Sequence, residues 1–143
     1  MNPVAVLGVL AGLVAVATAL GFLWRSQQGR VHHARGTTVI KASDIPGIRR
    51  FALGATFVQF STEVCHPCKV THAVLGEVAG EHPNVAHVDV DLTHRPDLAS
   101  QFRIMQTPTT LILDGKGVVR ARIGGAPRRD AVRAELERIL VPA

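Results

Sequence analysis

Apolar positions along the chain first form one unbroken stretch and then alternate between short runs and helix-spaced stripes. From Val4 to Trp24 there are 21 residues without a charge, and Thr18 is the only polar member. At 1.5 Å per helical residue such a stretch matches a hydrocarbon layer of roughly 30 Å. Phe22 and Trp24 close it, where aromatic rings sit well at an interface. Residues 1–24 are therefore expected to form an N-terminal transmembrane anchor, with 4–24 inside the membrane. A buried soluble helix of this length would carry a polar face. A cleaved signal peptide competes, because Ala17-Thr18-Ala19 has the small-x-small form, but no basic residue precedes the run. Gly8 and Gly12 have the spacing that lets two membrane helices approach. A monomer is expected, with that pair as a route to a dimer.

Residues 25–36 are polar, basic and contain two glycines, and are expected to be a linker in which His32 and His33 are solvated. Residues 37–143 then alternate in strand and helix patterns. Thr37–Lys41 reads as a short strand, and Ser43-Asp44 with Pro46 as a helix start. Ala55–Phe60 is a compact apolar run of the kind found in a central strand. The next segment, from the cysteines to about Glu81, has Val70, Ala73, Val74 and Val78 spaced for one helix face. Val85–Val90 alternates, and Arg95–Phe102 has Leu98 and Phe102 at i, i+4. Thr109–Leu113 and Val118–Ile123 flank Asp114-Gly115-Lys116-Gly117, a hairpin signal. Pro127 opens a final helix striped by Val132, Leu136, Ile139 and Leu140. This order predicts an α/β domain with a mixed central sheet and helices on both faces.

Composition changes the picture in two places. The chain has 143 residues, 47% hydrophobic, and a mean hydropathy of +0.22, which excludes a disordered chain. Its net charge of +5 invites a nucleic-acid reading. However, 37–143 carries 13 Lys and Arg against 11 Asp and Glu, an ordinary balance, and no nucleic-acid partner is expected. Arg25, Arg30 and Arg35 follow the anchor and nothing basic precedes it. The positive-inside rule thus puts the folded domain in the cytoplasm, with the opposite side of the cell membrane as the alternative.

Only two cysteines occur, Cys65 and Cys68, in one Cys-His-Pro-Cys motif between an expected buried strand and an expected helix. In that context a Cys-x-x-Cys suits redox chemistry. A thiolate at a helix N-terminus is stabilised by unpaired N–H groups and the positive end of the dipole, and the thiolate is the nucleophile. Pro67 suits a first turn, where its missing N–H is not needed. Zinc is the competing reading, with His66, His72 or His87 as helpers, but four well-placed donors are hard to assemble. Two inert buried cysteines are a further alternative.

Residues 37–143 resemble the thioredoxin family. The resemblance is carried by Phe57–Lys69 around the cysteines, by Val88-Asp89-Val90-Asp91, by Phe102–Thr109 with its Thr107-Pro108, and by Gly124. It implies the thioredoxin fold, with Cys65 as the attacking thiol and Cys68 as the resolving thiol. Pro108 would be a cis-proline and Thr107 a backbone site for substrate. The resemblance also marks departures. Val64 stands where the family usually has Trp, and His66 where it has Gly; an imidazole beside the thiolate would make the disulfide more oxidising. Gln59 stands where the family has a buried Asp, so the usual internal base is missing. His87 stands where its Lys partner would be, and is either a proton acceptor for Cys68 or a packed polar residue. Glu63 is expected to be a solvated loop charge.

The expected function is that of a membrane-tethered thiol–disulfide oxidoreductase. It would reduce or exchange protein disulfides and draw electrons from a thiol donor. No cofactor beyond the Cys65–Cys68 pair and no metal is expected. A redox-inactive or zinc-binding adaptor and a redox sensor are the alternatives.

Overall fold

The computed structural model describes residues 2–141. The apolar stretch is a single helix, α1 (Pro3–Gln27). Asn2 caps it, its side chain accepting from the Val4 N–H at 3.2 Å, and Pro3 suits the first turn. Thr18 donates its hydroxyl to the Val14 carbonyl at 2.8 Å, so the helix satisfies its one interior polar side chain locally. None of its residues is buried, and it is long and apolar enough to cross a membrane.

The remaining chain folds as β1 (Val31–His33), a 3-10 turn at Ala42–Asp44, β2 (Ala55–Ser61), α2 (His66–Gly80), β3 (Val85–Asp91), α3 (Pro96–Gln101), β4 (Thr109–Asp114), β5 (Val119–Gly124) and α4 (Arg129–Leu140). The strands form one mixed sheet in the order β1-β5-β4-β2-β3. Only β2 and β3 run parallel; the other pairs are antiparallel.

Strand alternation divides the core between the two faces of the sheet. Val58 and Phe60 of β2 join Val90, Leu98, Phe102, Leu111 and Leu113 on the α3 side. There the Phe60 and Phe102 rings meet with centroids 5.1 Å apart. Ala55 and Phe57 join Leu75, Val78, Ile112, Ile123, Val132 and Leu136 beneath α2 and α4. The stripe expected on α4 packs on this face, starting two residues after Pro127.

Four expectations change. Residues 31–33 are not linker: they pair with β5, Val31 opposite Ile123 and His33 opposite Ala121. A three-residue strand is too short for alternation to reveal it. Thr37–Lys41 makes no strand; Val39 forms an isolated bridge to Val118, and Ile40 and Ile45 are buried against the α3-side core. Pro46 follows the 3-10 turn instead of opening a helix. On α2 the buried face is Cys68, Thr71, Leu75, Val78 and Ala79, while Val70 is exposed. The face is turned because Cys68 must look inward.

The register also fixes which segments share an end of the sheet. Phe60 lies opposite Thr109, and Thr109 opposite Gly124. The turn that follows β2, the segment that precedes β4 and the loop that follows β5 therefore meet at one edge. The cysteines are in the first of these.

Candidate functional site

Cys65 is the N-cap of α2, in extended conformation (φ −121°, ψ 99°), and its Sγ accepts the Cys68 N–H at 3.2 Å. The same donor and the helix dipole would stabilise a Cys65 thiolate in the reduced protein. Pro67 falls in the first turn, where no intrahelical N–H is lost. Cys65 and Cys68 are joined as a disulfide, with Cα atoms 5.2 Å apart. Cys65 is 9% exposed and Cys68 4%. A shallow cleft of about 240 Å³ opens at the pair, bordered by Ser61, Glu63, Lys69, His72 and Asp89.

The turn is held from the side. Leu92 donates its N–H to the Ser61 carbonyl at 2.8 Å, and the Glu63 N–H donates to Thr93 Oγ1 at 3.0 Å. Thr93 is itself fixed by Asp91, whose Oδ1 accepts from its hydroxyl at 2.6 Å and its N–H at 2.9 Å. Those bonds keep the Asp91 carboxyl below the usual carboxylate range. Glu63 thus contributes its backbone, and its side chain is exposed as expected.

Beneath the helix start lies a polar chain. Gln59 is fully buried and donates Nε2–H to the Cys68 carbonyl at 2.8 Å. A carbonyl can only accept, so the amide orientation is fixed and Oε1 faces His87 Nε2 at 3.0 Å. An amide oxygen can only accept, so the His87 proton sits on Nε2. The Gln59–His87 pair therefore meets Cys68 at its backbone carbonyl. Burial, reinforced by the neighbouring His72, pushes His87 down to about 4. The His72 and His87 rings lie 4.8 Å apart, and His72 Nδ1 is 3.1 Å from Asp89 Oδ2. Asp89 Oδ1 in turn accepts the Ser61 hydroxyl at the cleft wall.

The residues read from the sequence thus fall into three places. Cys65, His66, Pro67 and Cys68 form the turn and the first helical residues, with His66 exposed. Gln59 and His87 lie underneath. Thr107 and Pro108 reach the same edge of the sheet, immediately before β4, and their peptide bond is cis. Pro108 is buried and its carbonyl accepts the Gly125 N–H at 2.8 Å. The zinc alternative needs donors that point elsewhere, since His72 is bonded to Asp89 and His87 to Gln59. Sequence reading missed Ser61, Asp89 and Thr93, which lie in ordinary strand and loop patterns. It also missed the exposure of Val64 (97%) and Met105 (93%), one before the cysteines and the other before the cis bond.

Comparison with known proteins agrees with this geometry. The thioredoxin family model matches residues 51–138. The chain is 37% identical over 71 residues to the thioredoxin of Chlamydia trachomatis serovar D, covering 49% of this chain and 70% of that protein. It is 38% identical over 82 residues to the thioredoxin of Mycolicibacterium smegmatis, covering 55% and 72%. Among solved structures, chloroplastic thioredoxin z superposes with a TM-score of 0.55 at 27% identity, over 61% of this chain and 79% of that one. Both cysteines, the strand before them and the cis-proline segment fall inside the matched region. The chain therefore belongs to the thioredoxin family and is a thiol–disulfide oxidoreductase whose redox-active disulfide is Cys65–Cys68.

Proposed function

We propose that the protein is a membrane-tethered thioredoxin that reduces disulfides in protein substrates, anchored by α1 with its folded domain in the cytoplasm. The single observation that supports the substrate class is the setting of the disulfide. It lies at a helix N-terminus directly after the exposed apolar Val64, at the end of the sheet where the backbone of Thr107 leads into β4. An extended polypeptide can pair with such backbone while Val64 offers an apolar contact beside its disulfide. The length and apolarity of α1 support the tether, and Arg25, Arg30 and Arg35 on its C-terminal flank support the sidedness.

In this reading the reduced Cys65 thiolate attacks one sulfur of the substrate disulfide. An S–S bond forms to Cys65, and the other substrate sulfur leaves as a thiolate that takes up a proton. Cys68 then loses its proton and attacks Cys65 Sγ, expelling the second substrate sulfur. Two electrons pass to the substrate, and a dithiol donor must return them to the Cys65–Cys68 pair. Cys65 serves as nucleophile and Cys68 as resolving thiol. Thr107 and Pro108 bind substrate; His66, Pro67, Gln59 and His87 tune the pair.

Cys68→Ser tests the assignment. It is expected to accumulate mixed disulfides with membrane or cytoplasmic proteins, seen on non-reducing gels, and Cys65→Ser to accumulate none. Equal trapping by both variants would remove Cys65 from the nucleophile's role. A membrane-impermeant maleimide that labels Cys65 in intact cells would reverse the sidedness.

A further inference from the structure

The anchor and the disulfide lie at the same end of the sheet. Antiparallel pairing of β1 with β5 puts Val31 opposite Ile123, so the chain enters the sheet at the end where β5 finishes. That is also the end where β4 begins, after the cis Thr107-Pro108 bond, and where β2 runs into the cysteine turn. Three inter-strand spacings, about 15 Å in all, separate β1 from β2 across this edge. The exit from α1 is short and held. At most about 19 Å of chain links Trp24 to Val31.

Contacts along this exit define its path. Gly29 is buried, its N–H donating to the Gly124 carbonyl at 2.7 Å. It has φ +73°, and a Cβ there would strike the Ala126 carbonyl. The Gln28 side chain lies against Gly125, and Gly125 donates to the Pro108 carbonyl at 2.8 Å. Arg30 Nε donates back to the Ser26 carbonyl at 3.1 Å. The last residue of α1, Gln27, borders a groove of about 450 Å³ together with His32, Met105, Gln106 and Gly124. No residue of α1 is buried against the folded domain.

From this placement we infer that the disulfide faces the membrane, and that the substrate is a disulfide in an integral membrane protein, at or just above the bilayer surface. The inference rests on the anchored reading proposed above. A tether leaving from the opposite end of the sheet would hold the cysteines a whole strand length further from the lipid. Leaving beside the cis-proline loop, it holds Cys65, Val64 and Met105 against whatever projects a short way out of the membrane. Substrates at that height experience a high effective concentration of the enzyme, and those held further away do not.

The full-length chain, reconstituted in vesicles of phosphatidylcholine and phosphatidylglycerol with headgroup-attached quenchers, tests the orientation. A fluorophore on Cys65 in Cys68→Ser is compared with one on Lys116→Cys in a background of Cys65→Ser and Cys68→Ser. Lys116 is exposed in the β4–β5 turn at the far end of the sheet. Quenching several-fold stronger at position 65 is expected; equal quenching, or stronger quenching at 116, overturns the inference. A chain that does not float with the vesicles overturns the anchored reading itself.

For the substrate, the reduced full-length protein is mixed in such vesicles with single-span helical peptides bearing a disulfide. In one peptide the disulfide is at the bilayer surface; in the other it stands on a rigid helical extension of about 30 Å. The surface disulfide is expected to be reduced about ten-fold faster or more. Equal rates, or a faster distal one, overturn the substrate assignment. Insulin reduction by the same sample reports the thiol chemistry separately, and its loss would overturn the oxidoreductase reading instead.

Discussion

His87 is the residue whose charge state the fold controls most strongly. It is partly buried against Gln59 and lies beside His72, and the folded protein holds it neutral with a value of about 4 against 6.5 in an unfolded chain. Between those pH values the unfolded chain binds more protons than the folded one. The resulting stabilisation is complete above pH 6.5 and is lost as pH falls toward 4. Urea denaturation of the wild type is expected to show a loss of about 1–2 kcal/mol between pH 7 and pH 5 from this group. His87→Gln should flatten that slope; an unchanged slope would assign the acid sensitivity elsewhere. The same residue shows what the family resemblance left open. The alternatives of proton acceptor and packed polar residue were equal in the sequence, because the partner of Nε2 was not visible there. Gln59 decides the matter for that nitrogen: its amide is locked by the Cys68 carbonyl and demands a donor.

At the level of elements, α2 carries both the chemistry and much of the packing. Its first turn positions the cysteines, and Leu75, two turns on, is fully buried between Phe57 and the α4 side of the core. Leu75→Ala is expected to cost about 2–5 kcal/mol in equilibrium unfolding while leaving insulin reduction by the folded fraction unchanged. A loss of activity in the folded fraction would mean that the helix start depends on the packing below it.

Element type was legible for β2, α2, β3, α3, the β4–β5 hairpin and α4, because each has a period or a turn signal long enough to read. The facing of α2 was not, since Val70, Ala73, Val74 and Val78 make as regular a stripe as Cys68, Thr71, Leu75, Val78 and Ala79. Nor was β1, whose two histidines read as solvent-facing linker. Both histidines are solvent-exposed as expected, but in a paired strand, and His33 also meets Glu135 Oε2 at 3.1 Å, where the nearly buried carboxylate pairs with Arg138 at 3.1 Å. Long-range partners of this kind leave no local pattern. The cysteine turn and the cis-proline were legible because a motif carries them; Ser61, Asp89 and Thr93 were not, because their roles arise only when three segments meet.

For the whole molecule, α1 ends at Gln27 and the sheet already begins at Val31, inside the basic and glycine-containing segment expected to be a linker. A chain beginning at Gln28 keeps β1 and is expected to be released from membranes while retaining insulin reduction. A chain beginning at Thr37 lacks the strand that covers β5, leaving an unpaired edge. It is expected to unfold at lower temperature and to aggregate more readily, as thermal scans and light scattering would detect. Equal behaviour of the two truncations would return residues 31–33 to the linker.

The β1–β5 pair joins residues roughly ninety positions apart, and a loop that large is entropically costly to close until the strands between are in place. During synthesis α1 and β1 are made before β5 and α4. β1 must therefore wait, unpaired, until β5 has been produced. Only when β5 arrives can Gly29 dock beside Gly124 and fix the exit of α1 relative to the cysteine turn. If α1 is the tether proposed above, aim is the final product of maturation: a chain whose β5 has not yet docked would be anchored, but its reactive edge would have no fixed bearing.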